Sequence, residues 1–176
     1  FSKGQSLSAI SSSDLPEWRP GWDYRDTYSA RSSLGGGVDI DLIHEWDYIT
    51  HMIGYPTTVK SIIARKSNLE IDSNDIAIYI GEYDNKTVEL HLDYFGRRPI
   101  RNLELFSEED TVLCDLIAGR ISFLSSGEVY EFSDNRDDYQ RRELEHFLSI
   151  AAGDMENDND LRNAMEIFRL ARGMYG

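Results

Sequence analysis

Apolar residues along the chain follow two rhythms, and the change from one to the other outlines the fold. Leu42, Trp46, Ile49 and Ile53 recur at spacings of three and four, while Asp41, His44, Asp47 and His51 form a polar stripe beside them. This is the amphipathic helix pattern. It predicts one helix from about Val38 to Ile53, opened by Gly35-Gly36-Gly37 and stopped by Gly54 and Pro56. A period of two then takes over. The segment Thr57 to Lys66 is rich in β-branched residues, Ile76, Ile78 and Ile80 alternate, and so do Val88, Leu90, Leu92 and Tyr94. Asp84-Asn85-Lys86 supplies a hairpin turn between the last two. Further strands are predicted at Ile100 to Phe106 and Thr111 to Leu116, joined by Ser107-Glu108-Glu109-Asp110, and at Arg120–Leu124 and Glu128–Phe132, joined by Ser125-Ser126-Gly127. Strands joined by such short turns pair antiparallel, because a parallel crossover needs a dozen or more residues.

The two ends of the chain complete the outline. Ser6 to Ser12 is short, Ser-rich and only partly alternating, which reads as an edge strand. Residues 13 to 33 hold four aromatics with several Arg and Pro and no periodicity, and a loop of that length is usually functional. Helical spacing returns at Tyr139, Leu144, Phe147, Leu148 and Ala151, and again at Leu161, Ala164, Met165, Phe168 and Ala171. The acidic run Asp154 to Asp160 between them reads as a solvated loop. The expected class is α+β, an open, mostly antiparallel sheet with helices packed on one face. The other face would be free for a partner subunit. With 176 residues and no repeat or linker, residues 1–176 read as a single domain.

Composition narrows the partners. A formal charge of −14 argues against nucleic acid and against anionic membrane surfaces. The sequence holds no run of 18 apolar residues and no visible signal peptide. Cys114, the single cysteine, cannot form an internal disulfide and reads as a small buried hydrophobe; no cysteine cluster offers a zinc site. A cytoplasmic protein is expected. The chain begins at Phe1 rather than Met, so it is expected to be processed or to be a piece of a longer protein.

Four constellations carry candidate chemistry. Asp41 and His44 place a carboxylate beside an imidazole, a group able to take or give a proton near neutral pH. Their plainer reading is the solvated side of an amphipathic helix. A metal held by Asp41, His44 and His51 is disfavoured, since His44 and His51 stand two turns of about 5.4 Å apart, too far to chelate one ion easily. The loop Trp18 to Tyr28 combines flat aromatics, which stack on sugar rings, with Arg19 and Arg25, whose planar forks suit hydroxyls, carboxylates or phosphates. The alternative is a loop pinned by two buried Trp. Arg97, Arg98 and Arg101 form a basic spot, able to meet an anion in a cleft or to balance Glu104, Glu108 and Glu109. His91 shares a strand face with Glu89 and Asp93, a face expected to be polar or to meet another subunit. No dinucleotide loop, P-loop, nucleophile elbow or zinc motif is present.

Taken together, these residues resemble the C-terminal domain of the Gfo/Idh/MocA family, the relatives of glucose–fructose oxidoreductase and inositol dehydrogenase. The resemblance spans nearly the whole chain. Leu15-Pro16-Glu17-Trp18-Arg19-Pro20 with Tyr24-Arg25 and Tyr28 to Arg31 looks like the family's leading loop. Leu34 to Gly37 through Asp41, His44 and Asp47-Tyr48 looks like its signature helix. His91 to Tyr94 leading to Arg97-Arg98 looks like its central strand, and Asn135 to Phe147 like its penultimate helix. The implied fold is the dihydrodipicolinate-reductase-like C-terminal domain, which follows an N-terminal Rossmann domain absent from this chain. That absent half implies NAD or NADP in the full-length protein and none bound by this chain alone.

The resemblance further implies that His44 and Asp41 are catalytic, together with a Lys of a Glu-Lys-Pro motif that has no counterpart here. The commoner family pattern has three residues between the Asp and the His; this chain has two. Trp18, Arg19, Tyr24 and Arg97 are the expected substrate-holding residues. The expected partners are a sugar-like substrate, the missing Rossmann domain, and a second copy in a homodimer or tetramer through the sheet face. Two other readings stand beside this one: a stand-alone, non-catalytic sugar-binding or assembly module, and a cofactor-assisted glycosidase or lyase.

Overall fold

The strand expected at an edge lies in the middle. The computed structural model describes residues 4–133 and 136–175. It contains one eight-stranded sheet in the order β2-β3-β4-β1-β5-β6-β7-β8. Its strands are β1 (Gly4–Asp14), β2 (Thr58–Ala64), β3 (Ile76–Glu82), β4 (Thr87–Asp93), β5 (Phe95–Ser107), β6 (Thr111–Asp115), β7 (Arg120–Phe123) and β8 (Val129–Glu131). β1 pairs in parallel with β4, Ala9 opposite Leu90, and antiparallel with β5, Ala9 opposite Leu103. The other pairings are antiparallel, as the short turns require. The serines of β1 mimic a polar edge. Leu7 and Ala9, however, are buried on one side, while the backbone pairs on both flanks, which side-chain alternation does not report.

Four helices accompany the sheet: α1 (Val38–Asp41), α2 (His44–Ile53), α3 (Arg136–Ala152) and α4 (Leu161–Ala171). Asn135, the expected start of the penultimate helix, lies outside the described residues. The single helix expected from Val38 to Ile53 is interrupted at Leu42 and Ile43, where Leu42 adopts φ −104° and ψ 24°. The side chains explain the interruption. Buried Asp39 is tied to Arg172 Nη1 at 2.8 Å and to Asn74 Nδ2 at 3.3 Å, whereas Trp46 and Ile49 anchor α2 in the apolar core. The core lies between one sheet face and α1, α2 and α4, with Leu7, Tyr79, Val88, Leu90 and Leu92 meeting Val38, Trp46, Ile49, Ile167 and Leu170. Trp46 stands edge-on to Tyr79 at 5.5 Å, and Tyr79 donates its hydroxyl hydrogen to the Ala171 carbonyl at 2.5 Å, fastening α4. The long 15–34 segment is not shapeless but is built from short 3₁₀ turns.

Two glycines are dictated by close approach. A Cβ on Gly36 would collide with the Tyr28 and Ser29 carbonyls, and one on Gly96 with the Ser12 hydroxyl. Gly96 belongs to the corner where the chain leaves β4, rounds the end of β1 and enters β5. Asp93 straps this corner, accepting from Phe95 N at 2.9 Å, Gly96 N at 2.8 Å and Ser12 Oγ at 3.0 Å, with His91 Nε2 at 2.8 Å. Register places His91 and Asp93 on the face opposite Leu90 and Leu92, as the alternation predicts.

Burial pushes the Asp93 carboxyl up, but the bonds from His91, Phe95 and Ser12 more than offset this and hold it below the ordinary range. The folded state therefore binds this proton more weakly than the unfolded chain. The resulting stabilisation is complete above the unfolded value of about 3.9 and is lost as pH falls through the folded value. Asp93→Asn is expected to be less stable at neutral pH and to lose stability less steeply than the wild type between about pH 5 and pH 3, read from urea midpoints.

Candidate functional site

The ends of β1 and β4 and the two short helices converge on one corner of the molecule. Tyr94 follows β4, is fully buried, and donates its hydroxyl hydrogen to Asp41 Oδ2 at 2.6 Å. Burial and the Asp41 carboxylate together push the Tyr94 hydroxyl far above its ordinary value, so it stays a donor. Trp18 stands edge-on to the Tyr94 ring at 5.3 Å, and its indole Nε1–H donates to Ser13 Oγ at 2.8 Å. Trp18 and Asp41 are thus joined through Tyr94.

His44 opens α2 with its side chain 48% exposed. Its partner is not Asp41, with which it shares no hydrogen bond among the described residues. The carboxylate beside it is Glu45, which is fully buried, with Oε1 3.1 Å from His44 Nε2. The same oxygen accepts from Arg101 Nε at 2.7 Å. Burial pushes the Glu45 carboxyl up, yet His44 and the Arg101 charge overcome this and hold it below the ordinary range. Glu45 Oε2 and the neighbouring Tyr48 hydroxyl are buried without a hydrogen-bond partner. Burial, with Glu45 nearby, drives the Tyr48 hydroxyl well upward.

The expected substrate-holding residues occupy two places. Trp18, Arg19 and Tyr24 share one rim with Trp22, but the space they enclose is only about 10 Å³. Trp22 is exposed, so the loop is not pinned by two buried Trp. Arg19 lies over the Tyr28 ring at 5.4 Å, and the Tyr24 hydroxyl accepts from Glu70 N at 3.2 Å. Arg97 faces another cleft, of about 320 Å³, lined by Lys66, Asn68 and Phe95, and pairs with Asp14 at 3.2 Å. The balancing expected of the basic spot differs in its partners: Arg97 takes Asp14, and Arg101 takes Glu45. A trough of about 740 Å³ runs between α2 and strands β5 to β7, with Tyr48 and Arg101 among apolar neighbours including Met52 and Phe132.

Among the described residues no three His, Cys, Asp or Glu side chains converge to hold a metal ion. The glycine run leads into the four-residue α1, with Gly36 packed against the Tyr28 and Ser29 carbonyls. No helix among the described residues is long and apolar enough to cross a membrane.

Sequence reasoning missed Tyr94 and Glu45 as site residues and expected other partners for Arg101. For the Glu45–Arg101 pair a signal was present. Glu45 interrupts the apolar stripe of Leu42, Trp46 and Ile49, and Arg101 alternates with Leu103 and Leu105. A charge placed where the pattern demands an apolar residue marks a buried ion pair.

No protein-family model and no curated protein sequence matches the chain. Solved structures do, and the chain has the fold shared by Gfo/Idh/MocA-type oxidoreductases. Levoglucosan dehydrogenase in complex with NADH matches with a TM-score of 0.81 at 10% identity, over 97% of this chain and 55% of that one. UDP-N-acetylglucosamine 3-dehydrogenase GnnA from Acidithiobacillus ferrooxidans matches at 0.74 and 18% identity, over 98% and 52%. The WlbA dehydrogenase from Bordetella pertussis, in complex with NADH and UDP-GlcNAcA, matches at 0.72 and 15% identity, over 98% and 51%. The chain therefore spans about half the length of the structures it resembles.

The Tyr94–Asp41 bond is a neutral donor on a charged acceptor, and such bonds contribute on the order of 2 kcal/mol. Tyr94→Phe is expected to lose about that much stability, measured by urea denaturation at neutral pH.

Proposed function

We propose that this chain is the C-terminal, substrate-binding and oligomerising domain of an NAD- or NADP-dependent oxidoreductase acting on a sugar, cyclitol or related hydroxyl compound. One observation supports this most: nearly the whole chain shares its fold with about half of several dehydrogenases, two of them solved with NADH. In this reading the nicotinamide cofactor, which accepts the hydride, is held by an N-terminal Rossmann half. In the same reading this chain supplies the proton chemistry.

His44 is the general base on the substrate hydroxyl. It is a half-exposed imidazole at the start of α2, and imidazole is the side chain most often used for proton transfer. Asp41, held by Tyr94, borders the same corner and supports the site electrostatically. Trp18, Arg19 and Tyr24 form the rim over which a sugar ring would stack, and Arg97 offers a guanidinium to an anionic group in the adjoining cleft. The 10 Å³ space at the rim requires the loop to open for any sugar to enter. Oligomerisation through the open sheet face is supported by the exposed Ile62, Ile80 and Ile100 there.

His44→Ala, made in the longer enzyme, is expected to lower turnover at saturating substrate by about 100-fold or more, the usual contribution of a general base. Turnover within a few-fold of wild type would remove His44 from that role. The 176-residue chain alone is expected to show no heat of binding with NADH in calorimetry, and a measurable affinity would contradict the division of labour proposed here.

A further inference from the structure

We propose that Glu45 and Arg101 form a positioning pair for His44: the buried, ion-paired carboxylate lies against Nε2 and fixes the orientation of the imidazole. The inference rests on His44 being the proton-transfer residue; Asp41 keeps its place in the same corner, and Glu45 is the carboxylate that meets the imidazole.

Three observations carry it. Glu45 is the carboxylate in contact with the imidazole, with Oε1 3.1 Å from His44 Nε2, whereas Asp41 is engaged by Tyr94 at 2.6 Å. Glu45 is fully buried on the apolar side of α2, and an isolated ionised carboxylate there is very costly unless paired. Its charge is met by Arg101, whose Nε donates at 2.7 Å to the same oxygen. One oxygen thus serves both partners. A carboxylate whose sole purpose was to neutralise Arg101 would do so better in a two-oxygen fork. The arrangement instead trades that fork for contact with the imidazole. Arg101 keeps the carboxylate ionised, and an ionised carboxylate against one ring nitrogen holds an imidazole in one orientation.

The titratable and charged groups around Glu45 are His44 and Tyr48 on α2, Arg101 on β5 and, beyond Tyr48, Cys114 on β6. Tyr48 stays neutral and, beside His44 and Arg101, helps to hold the Glu45 carboxyl down, while the buried Cys114 thiol is pushed up by burial. Coupling between two sites is reciprocal, so a group that acts on Glu45 can be followed from the Glu45 side.

That reciprocity permits a test without substrate. The Glu45 carboxyl is followed by ¹³C NMR titration in the 176-residue chain, its signal assigned by loss in Glu45→Gln. In wild type it is expected to titrate below the ordinary glutamate range. Arg101→Met is expected to weaken its acidity about tenfold or more. His44→Gln, which keeps the fold and removes only the titrating ring, is expected to weaken it at least about threefold. Arg101→Lys, which restores the charge, is expected to recover part of the loss. If His44→Gln leaves Glu45 unmoved while Arg101→Met moves it, Glu45 is merely the anchor of Arg101 and the proposal fails. In the longer enzyme, Glu45→Gln is expected to lower kcat about tenfold or more with KM little changed and to displace the acid limb of the rate profile. A turnover equal to wild type would also overturn the pairing. Failure of His44→Ala to lower turnover is a separate result, which removes the base assignment and leaves the measured coupling standing.

Discussion

The insertion of β1 between β4 and β5 is the constraint on which the rest of the structure depends. Without it the sheet is two separate antiparallel pieces, β2-β3-β4 and β5-β6-β7-β8, with no ladder between them. Because β1 runs parallel to β4, the chain must cross back from the end of β1 to the start of β4, and a crossover is long. Here it carries the aromatic loop, both short helices, β2 and β3. Both parallel strands end at the same corner, so Asp14, Trp18, Tyr94 and Asp41 meet there although they are far apart in sequence. The corner also needs Gly96 and the Asp93 strap, since the chain turns tightly round the end of β1 before it can form β5.

A fully buried carboxylate in α2 calls for a physical reason of its own. Apolar residues of similar volume usually replace a buried ion pair at no cost in stability. Glu45 faces Arg101 across the edge of a core that already holds Trp46, Ile49 and Leu103, so an apolar pair would fit the surroundings. The pair also leaves Oε2 and the Tyr48 hydroxyl unpartnered, a further penalty. What such a pair gives in return is orientation and charge next to His44.

Much of this architecture was legible in the sequence, and what was not has identifiable causes. The hairpins read directly, because alternation and turn chemistry are local: Ile76–Ile80 against Val88–Leu92 through Asp84-Asn85-Lys86 is observed as β3 against β4. The last two helices were legible in the same way. The place of β1 was not, since strand order is set by backbone pairing at long range and its serines carried no sign of two neighbours. The break in the helix at Leu42 was hidden as well, because Asp39 and Asp41 looked like solvated polar positions until Arg172 and Tyr94, distant in sequence, were brought to them. Asp41 and His44 were read as a pair on spacing alone. The structure gives each a different partner, and only the misplaced charge in the apolar stripe pointed to Glu45.

Exposure sets the remaining condition on the site. A proton-transfer group about half open to water gains little from preorganisation, because bulk solvent screens its neighbours and competes for its lone pair. The described residues do not close this corner. The same chain leaves apolar stripes uncovered: Leu144, Phe147 and Leu148 on α3, and Leu161, Met165 and Phe168 on α4, are all roughly half exposed or more. Monomeric domains rarely leave such stripes in solvent, because burying them is favourable. The half-exposed His44 and the uncovered faces of α3 and α4 are both open surface, and burial of the apolar faces by further protein would be favourable. In a chain about half as long as the dehydrogenases that share its fold, further protein over α3 and α4 would bury the apolar stripes. Cover over the start of α2 would in turn exclude water from His44.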